Sequence, residues 1–267
     1  MLVRVVSAVI LAPLFLFLIY LGGKYLATAI LLLALLALRE YFQIGRKAGW
    51  LRPQEEAWPM ILCAAWLALF WLNFQNWLLP ALYFCFFLLM ARYVLIFPAA
   101  SFLEVIFQIS AFFYPVIFFT YLQRLRDLPG GFEWCLFAVL TVWLTDSAAY
   151  FIGSLAGRHK LAPRVSPNKS VEGSVAGVVV AVIFGCTFAH FSDLAPLGLT
   201  APLALAISFA AQLGDLFESA LKRAANIKDS GRFIPGHGGV LDRFDSFLLT
   251  MPLVYYTLFV YHNNGWG

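Results

Sequence analysis

Ser208, Gln212, Asp215, Ser219 and Lys222 recur at steps of four, three, four and three in an otherwise apolar stretch. At about 100° per helical residue they fall within an arc of roughly 80°, a single polar stripe on an apolar cylinder. Glu218 and Arg223 flank it. Serine and glutamine alone would serve for hydrogen bonds between helices. An aspartate in so apolar a helix is costly unless it is paired or ion-bound. Asp215 therefore points to chemistry.

The stripe runs into a dense polar segment. Lys222-Arg223 is followed by Lys228-Asp229-Ser230-Gly231, Pro235-Gly236-His237-Gly238-Gly239 and Asp242-Arg243-Phe244-Asp245-Ser246. Glycine-rich backbone can turn its N–H groups toward an anion, and a following helix adds its positive dipole end. Lys222, Arg223 and Arg243 supply full positive charges suited to phosphates. Asp242 and Asp245, three apart, share a face at the start of the next helix. They either complement that helix's dipole or hold a divalent ion shared with a polyphosphate, as Mg²⁺ does with one or two carboxylates. Two carboxylates among several phosphate-seeking cations favour the second reading. His237 reads as a loop or phosphate contact, since no second histidine lies at ligand spacing.

A second cluster comprises Asp146, Tyr150, Gly153, Gly157-Arg158-His159-Lys160 and Ser166-Pro167-Asn168-Lys169-Ser170-Val171-Glu172-Gly173. Asp146 is an acid near the end of an apolar run, and Ser166 and Lys169 lie in a loop able to hold a phosphate. The same loop would also serve as a plain basic anchor.

These groups must be positioned by helices in lipid. Of 267 residues, 62% are hydrophobic and 12% charged, about half the charged share of a soluble domain. Disordered, collagenous and disulfide-scaffold classes are excluded, and the net charge of +4 is too small and scattered for a nucleic-acid partner. Cys63, Cys85, Cys135 and Cys186 stand singly in apolar stretches and read as small buried hydrophobes. The chain is expected to be all-α and polytopic, with about nine transmembrane helices of about 20 residues each. They are predicted near 5–21, 25–44, 58–73, 77–97, 101–121, 133–153, 172–191, 197–223 and 241–261. The first is read as a retained span, not a cleaved signal. A single integral domain is predicted over 1–267, in which 1–130 is mainly lipid-phase helix and 131–267 carries the chemistry. Charges such as Glu40 and Glu104 read as isolated, with Arg39–Glu40 and Arg92 snorkelling near an interface. The basic residues Arg46, Lys47, Arg52, Arg158, Lys160, Arg164, Lys169, Lys228 and Arg232 fall in loops on the side of the N-terminus, which the positive-inside rule makes cytoplasmic. Arg124 and Arg126 are a minority on the other side.

The segment from Ser219 through Lys222-Arg223, Lys228-Asp229, Gly231, Pro235, His237-Gly238-Gly239 and Asp242-Arg243 to Asp245 closely resembles the signature of the phosphatidate cytidylyltransferase family. The stretch Asp146–Tyr150 and Ser166-Pro167-x-Lys169 through Glu172-Gly173 resembles the family's upstream segment. Val171 departs from it where aromatic residues are common. The resemblance implies that CTP and phosphatidate are joined to give CDP-diacylglycerol and pyrophosphate, with Mg²⁺, at the cytoplasmic side of a membrane. It implies Asp215, Asp242 and Asp245 as metal ligands, and Asp215, Lys222, Asp242 and Asp245 as catalytic. Asp146, Ser166, Lys169, Ser219, Arg223, His237, Gly238, Gly239 and Arg243 are implied in substrate binding. A homodimer follows from family inference alone, and short loops favour a bacterial inner membrane.

Other classes fit less well. An ion-coupled transporter would place acids near mid-membrane with repeat symmetry, whereas these cluster beside glycine-rich loops. A non-catalytic scaffold would need no such constellation. A polyprenol kinase is a closer rival. The Asp-Gly-x-x-Ala-Arg opening of CDP-alcohol phosphotransferases is absent.

Overall fold

The computed structural model describes residues 2–192, 195–231, 233 and 238–264, with side chains from residue 9 onward. In chain order the helices are α1 (Leu2–Leu21), α2 (Gly23–Lys47), α3 (Ala57–Trp71), α4 (Gln75–Ile96), α5 (Phe102–Phe112), α6 (Phe118–Arg126), α7 (Gly131–Ala156), α8 (Val171–Phe191), α9 (Leu197–Ala224) and α10 (Leu241–Asn263). A π turn, Phe113–Ile117, carries Pro115 between α5 and α6, where a missing N–H makes a widened turn tolerable.

Eight of the nine predicted spans each fall on one helix, and the one near 101–121 falls on α5, the π turn and the start of α6. Among the described residues, seven helical runs are long and apolar enough to cross a membrane, with α5 through α6 counted as one. α3 has 15 residues, short of the about 20 that a crossing takes. α1 and α2 are separated by Gly22 and Gly23, with φ of 61° and 48°, backbone that favours glycine. One departure from helix is a hairpin, β1 (Lys160–Ala162) antiparallel to β2 (Ser166–Ser170), within the predicted basic loop.

The chain divides into two compact units, one of Met1–Gln123 with Leu221–Arg243, the other of Arg124–Ala220 with Phe244–Gly267. In the first, α2 buries Ala34, Ala37, Leu38, Tyr41, Phe42 and Gly45. Tyr41 stacks on Phe107 with ring centroids 4.5 Å apart, and its hydroxyl lies 2.7 Å from Ser110 Oγ. The expectation of isolated charges is corrected here. Glu104 accepts from the Arg52 backbone N–H at 2.8 Å and from its guanidinium at 3.0 and 3.1 Å. Glu55 accepts from Arg92 at 2.8 and 2.9 Å. Glu40 is 5% exposed, while its neighbour Arg39 is exposed. These partners lie far apart along the chain, so local spacing does not reveal them.

In the second unit, α8 presents Gly173, Gly177, Ala181 and Gly185 as a buried small-residue face, of the kind that lets membrane helices approach closely. A Cβ on Gly173 would stand 2.5 Å from the Ala149 carbonyl oxygen, and one on Gly177 2.9 Å from that of Thr145. The approach brings the hairpin and the end of α7 together. Ser170 caps α8 by accepting from the Gly173 N–H at 3.1 Å. Cys63, Cys85 and Cys135 are buried as expected, whereas Cys186 is exposed.

Candidate active site

In the second unit, Lys169 on β2 meets Asp215 on α9, with Nζ 2.5 Å from Oδ2. The two side chains remain 26% and 31% exposed. Ser219, one turn further along α9, donates to Asp215 Oδ1 at 3.3 Å. Asp146 on α7 is exposed and lies within the electrostatic reach of both Asp215 and Lys169. The polar stripe is fixed beneath this group. Gln212 accepts from the Ser174 hydroxyl of α8 and donates to Ser208 Oγ at 3.3 Å. Ser166 sits in the hairpin stem opposite Ala162. His159 Nδ1 lies 2.6 Å from Glu172 Oε1, and Glu172 also accepts from the Arg158 N–H at 3.1 Å. The glutamate thus closes the turn between α7 and the hairpin. Asp245 on α10 accepts from the Ser246 N–H at 2.6 Å. Gly214 of α9 packs against its backbone carbonyl, so closely that no Cβ would fit.

In the first unit, Lys222 Nζ lies 2.6 Å from Asp242 Oδ1, and the side chains are only 12% and 6% exposed. Asp242 Oδ2 accepts from the Ser230 N–H at 2.9 Å, from the Ser230 hydroxyl at 2.9 Å and from the Gly239 N–H at 2.8 Å. The Lys222 ammonium and two backbone N–H groups fix its direction, and the single Ser230 hydroxyl proton is shared between it and Glu40. Glycine is required beside it. Gly238 has φ of 85°, and a Cβ there would stand 2.5 Å from Asp242 Oδ2. Gly239 gives its N–H to Asp242, so in this arrangement that amide serves the carboxylate and not an incoming phosphate. Arg223 is exposed and donates to the Ile227 carbonyl at 3.3 Å. Arg243 is exposed in the first turn of α10. His237 lies outside the described residues.

Two groupings of predicted residues are therefore assembled: Lys222 with Asp242, and Lys169 with Asp215, Ser219 and Asp146. Sequence reasoning missed Ser230 as a ligand of Asp242, and it missed Glu40. Glu40 accepts from the Ser230 hydroxyl at 3.0 Å and from the N–H groups of Val240 and Leu241 at 2.9 Å each. An acid within an apolar run was the signal available for Glu40, the same signal that singled out Asp215.

Among the described residues, no three His, Cys, Asp or Glu side chains gather as a metal-holding group. The donor chemistry nevertheless suits Mg²⁺. Asp215 and Asp242 each face a lysine ammonium, a monovalent counter-ion on a flexible stem that a divalent ion can replace. Mg²⁺ needs only one or two carboxylates when substrate phosphates complete its shell.

Fold and site together define a polytopic helical membrane protein whose acids are held against lysines beside glycine-rich and hairpin backbone. The chain belongs to the cytidylyltransferase family, whose model matches residues 2–261. It is 38% identical over 259 residues to a phosphatidate cytidylyltransferase of Staphylococcus saprophyticus, covering 94% of this chain and 96% of the relative. Similarity to the Staphylococcus haemolyticus protein of the same description is 36% over the same span, with 94% and 96% covered. A Bacillus subtilis phosphatidate cytidylyltransferase is 43% identical over 173 residues, 64% of each chain.

Proposed function

We propose that this chain transfers the cytidylyl group of CTP to phosphatidate, giving CDP-diacylglycerol and pyrophosphate. The observation that carries the reading is the Asp242 cluster, an aligned carboxylate and lysine set in a glycine loop at the head of a membrane helix. Its supports are the family membership and the similarity to relatives described as phosphatidate cytidylyltransferases.

The chemistry needs little from the protein beyond placement and charge. An oxygen of the phosphatidate phosphate, already anionic at neutral pH, attacks the α-phosphorus of CTP. A new P–O–P linkage forms, and the bond from the α-phosphorus to the bridging oxygen breaks. Pyrophosphate leaves with the electron pair. No side chain has to remove a proton from the nucleophile. Catalysis then rests on positioning and on neutralising charge at the reacting phosphates. Lys222, Arg223 and Arg243 are assigned to phosphates, including the departing pyrophosphate. Lys169, Asp146 and Ser166 are assigned to nucleotide or lipid phosphate, with Ser219 as a hydrogen-bond donor. Mg²⁺ would neutralise and orient the CTP phosphates, and Asp215, Asp242 and Asp245 are the carboxylates assigned to it on the family resemblance.

The N-terminus and basic loops are assigned to the cytoplasm on the distribution of lysine and arginine, and the membrane is assigned as a bacterial inner membrane on the short loops. The cytoplasmic side meets CTP. A homodimer belongs to the reading on family resemblance alone.

Product analysis tests the reaction. Purified protein with α-³²P-labelled CTP, phosphatidate and Mg²⁺ should place label in a CDP-lipid and release pyrophosphate. Labelled CDP with no label in lipid and no pyrophosphate released would instead mark transfer of the γ-phosphate, a kinase reaction, and overturn the proposal.

A further inference from the structure

Glu40 lies in α2, remote in sequence from every residue assigned to the reaction, yet its carboxylate reaches the loop that carries Asp242. Ser230 is 190 positions away along the chain, Val240 is 200 and Leu241 is 201. Oε1 accepts from the Val240 N–H, and Oε2 accepts from the Leu241 N–H and the Ser230 hydroxyl. Ser230 precedes the glycine-rich loop, while Val240 and Leu241 follow it. Glu40 thus fastens both Ser230 and the backbone at the start of α10 to one helix.

The fit around this carboxylate is tight. A Cβ on Gly231 would collide with Glu40 Oε1, and one on Gly239 would collide with Oε2 and with Ser230 Oγ. α2 itself is held in rotation by the Tyr41–Phe107 stack and the Tyr41–Ser110 hydrogen bond. The Ser230 hydroxyl stands 3.0 Å from Glu40 and 2.9 Å from Asp242. A chain of contacts therefore runs from a rigid helix through Ser230 to the carboxylate assigned to catalysis. A carboxylate on the first N–H groups of α10 also satisfies donors that would otherwise be buried without partners, and it complements the helix dipole.

We propose that Glu40 is a positioning residue for cytidylyl transfer, pinning Ser230, Val240 and Leu241 so that Asp242 and Lys222 are held in their reactive placement. This rests on the reading that Asp242 acts in the transfer. Glutamine is a poor substitute at this position, because every oxygen of the carboxylate accepts and an amide NH₂ would face a backbone N–H.

The test compares Glu40→Gln, Ser230→Ala and Gly231→Ala with wild type and with Asp242→Asn, all purified in one detergent. Label transfer from CTP to phosphatidate, thermal stability and hydrogen–deuterium exchange of the peptide covering 238–242 are measured. Glu55→Gln, which disturbs another buried carboxylate of the same unit that is 6% exposed, serves as the control for simple destabilisation. Glu40→Gln and Gly231→Ala are expected to lower kcat about 100-fold, the loss typical of a misplacement near 1 Å. The KM for CTP should stay within about threefold, since ground-state binding is not what is removed. Exchange at 238–242 should rise, and adding Ser230→Ala to Glu40→Gln should cost little more, because both cut one chain of contacts. Glu55→Gln should lose thermal stability with kcat within about twofold.

Should a Glu40 variant not fold, Gly231→Ala and Ser230→Ala decide the matter alone. Wild-type kcat in folded Glu40→Gln and Gly231→Ala, while Asp242→Asn is inactive, would overturn the inference and leave the reaction assignment standing. A kcat loss matched by Glu55→Gln at equal loss of stability, or unchanged exchange at 238–242, would also overturn it. Full activity in Asp242→Asn would overturn the underlying reading, and the inference with it.

Discussion

The two lysine–carboxylate pairs differ in how they are held. Asp242 accepts from Lys222 at 2.6 Å and from the N–H groups of Ser230 and Gly239, shares the single Ser230 hydroxyl proton with Glu40, and is 6% exposed. Ser230 and the start of α10 are fastened to Glu40, and the glycines around Asp242 leave no room for a Cβ. Asp215 meets Lys169 at 2.5 Å but has one further donor, Ser219 at 3.3 Å, and is 31% exposed. One pair is set in place before any substrate arrives. The other stands half open to solvent, with one partner on a short hairpin. Burial strengthens electrostatic terms by lowering the local dielectric, so equal chemistry should not carry equal weight in the two places.

Substitutions can break or sharpen this contrast. Among the lysine and serine variants, Lys222→Ala should have the largest effect, with kcat falling about 1,000-fold in the label-transfer assay, as for loss of a preorganised charge at a reacting centre. A fall below about tenfold would remove the locked pair from the mechanism. Lys169→Ala should cost about 100-fold in kcat/KM, because a more solvated charge does less in the same role. An effect exceeding that of Lys222→Ala would reverse the ranking. Ser219→Ala removes a single long hydrogen bond and should cost at most about tenfold, the equivalent of one ordinary bond. Smallest of all, amine acylation followed by mass spectrometry should modify Lys169 faster than Lys222, in keeping with their 26% and 12% exposure. Equal rates would show that the second pair is no more accessible than the first.

Much of the scaffold was legible in the sequence, because hydropathy reports directly on lipid exposure. Eight of the nine predicted spans each coincide with one helix, and Gly22-Gly23 marks the first break. α3 was read as a full span from its apolarity, yet its helix stops at Trp71. The hairpin within Lys160–Ser170 escaped because three- and five-residue strands leave no usable period. At the site, the polar stripe on α9 pointed to Asp215 and Ser219, which meet beside Lys169, and the segment after it pointed to Lys222 and Asp242, which pair. Which lysine faces which aspartate was not legible, since Lys169 and Asp215 meet only through the packing of α7, α8 and α9. Glu40 was hidden for the same reason. Beside Arg39 it looked like an interfacial pair, and only tertiary structure brings Ser230, Val240 and Leu241 to it.

The central claim is that the locked carboxylate carries the transfer. It is tested most directly by purifying Asp242→Asn beside wild type and measuring phosphatidate-dependent movement of α-³²P label from CTP into lipid. Asparagine keeps the size of the side chain while removing its charge. The expected result is a loss of about 1,000-fold or more in kcat, with the variant folded by thermal and chromatographic criteria. Turnover within a few-fold of wild type would contradict the claim, and with it the assignment of Asp242 to catalysis.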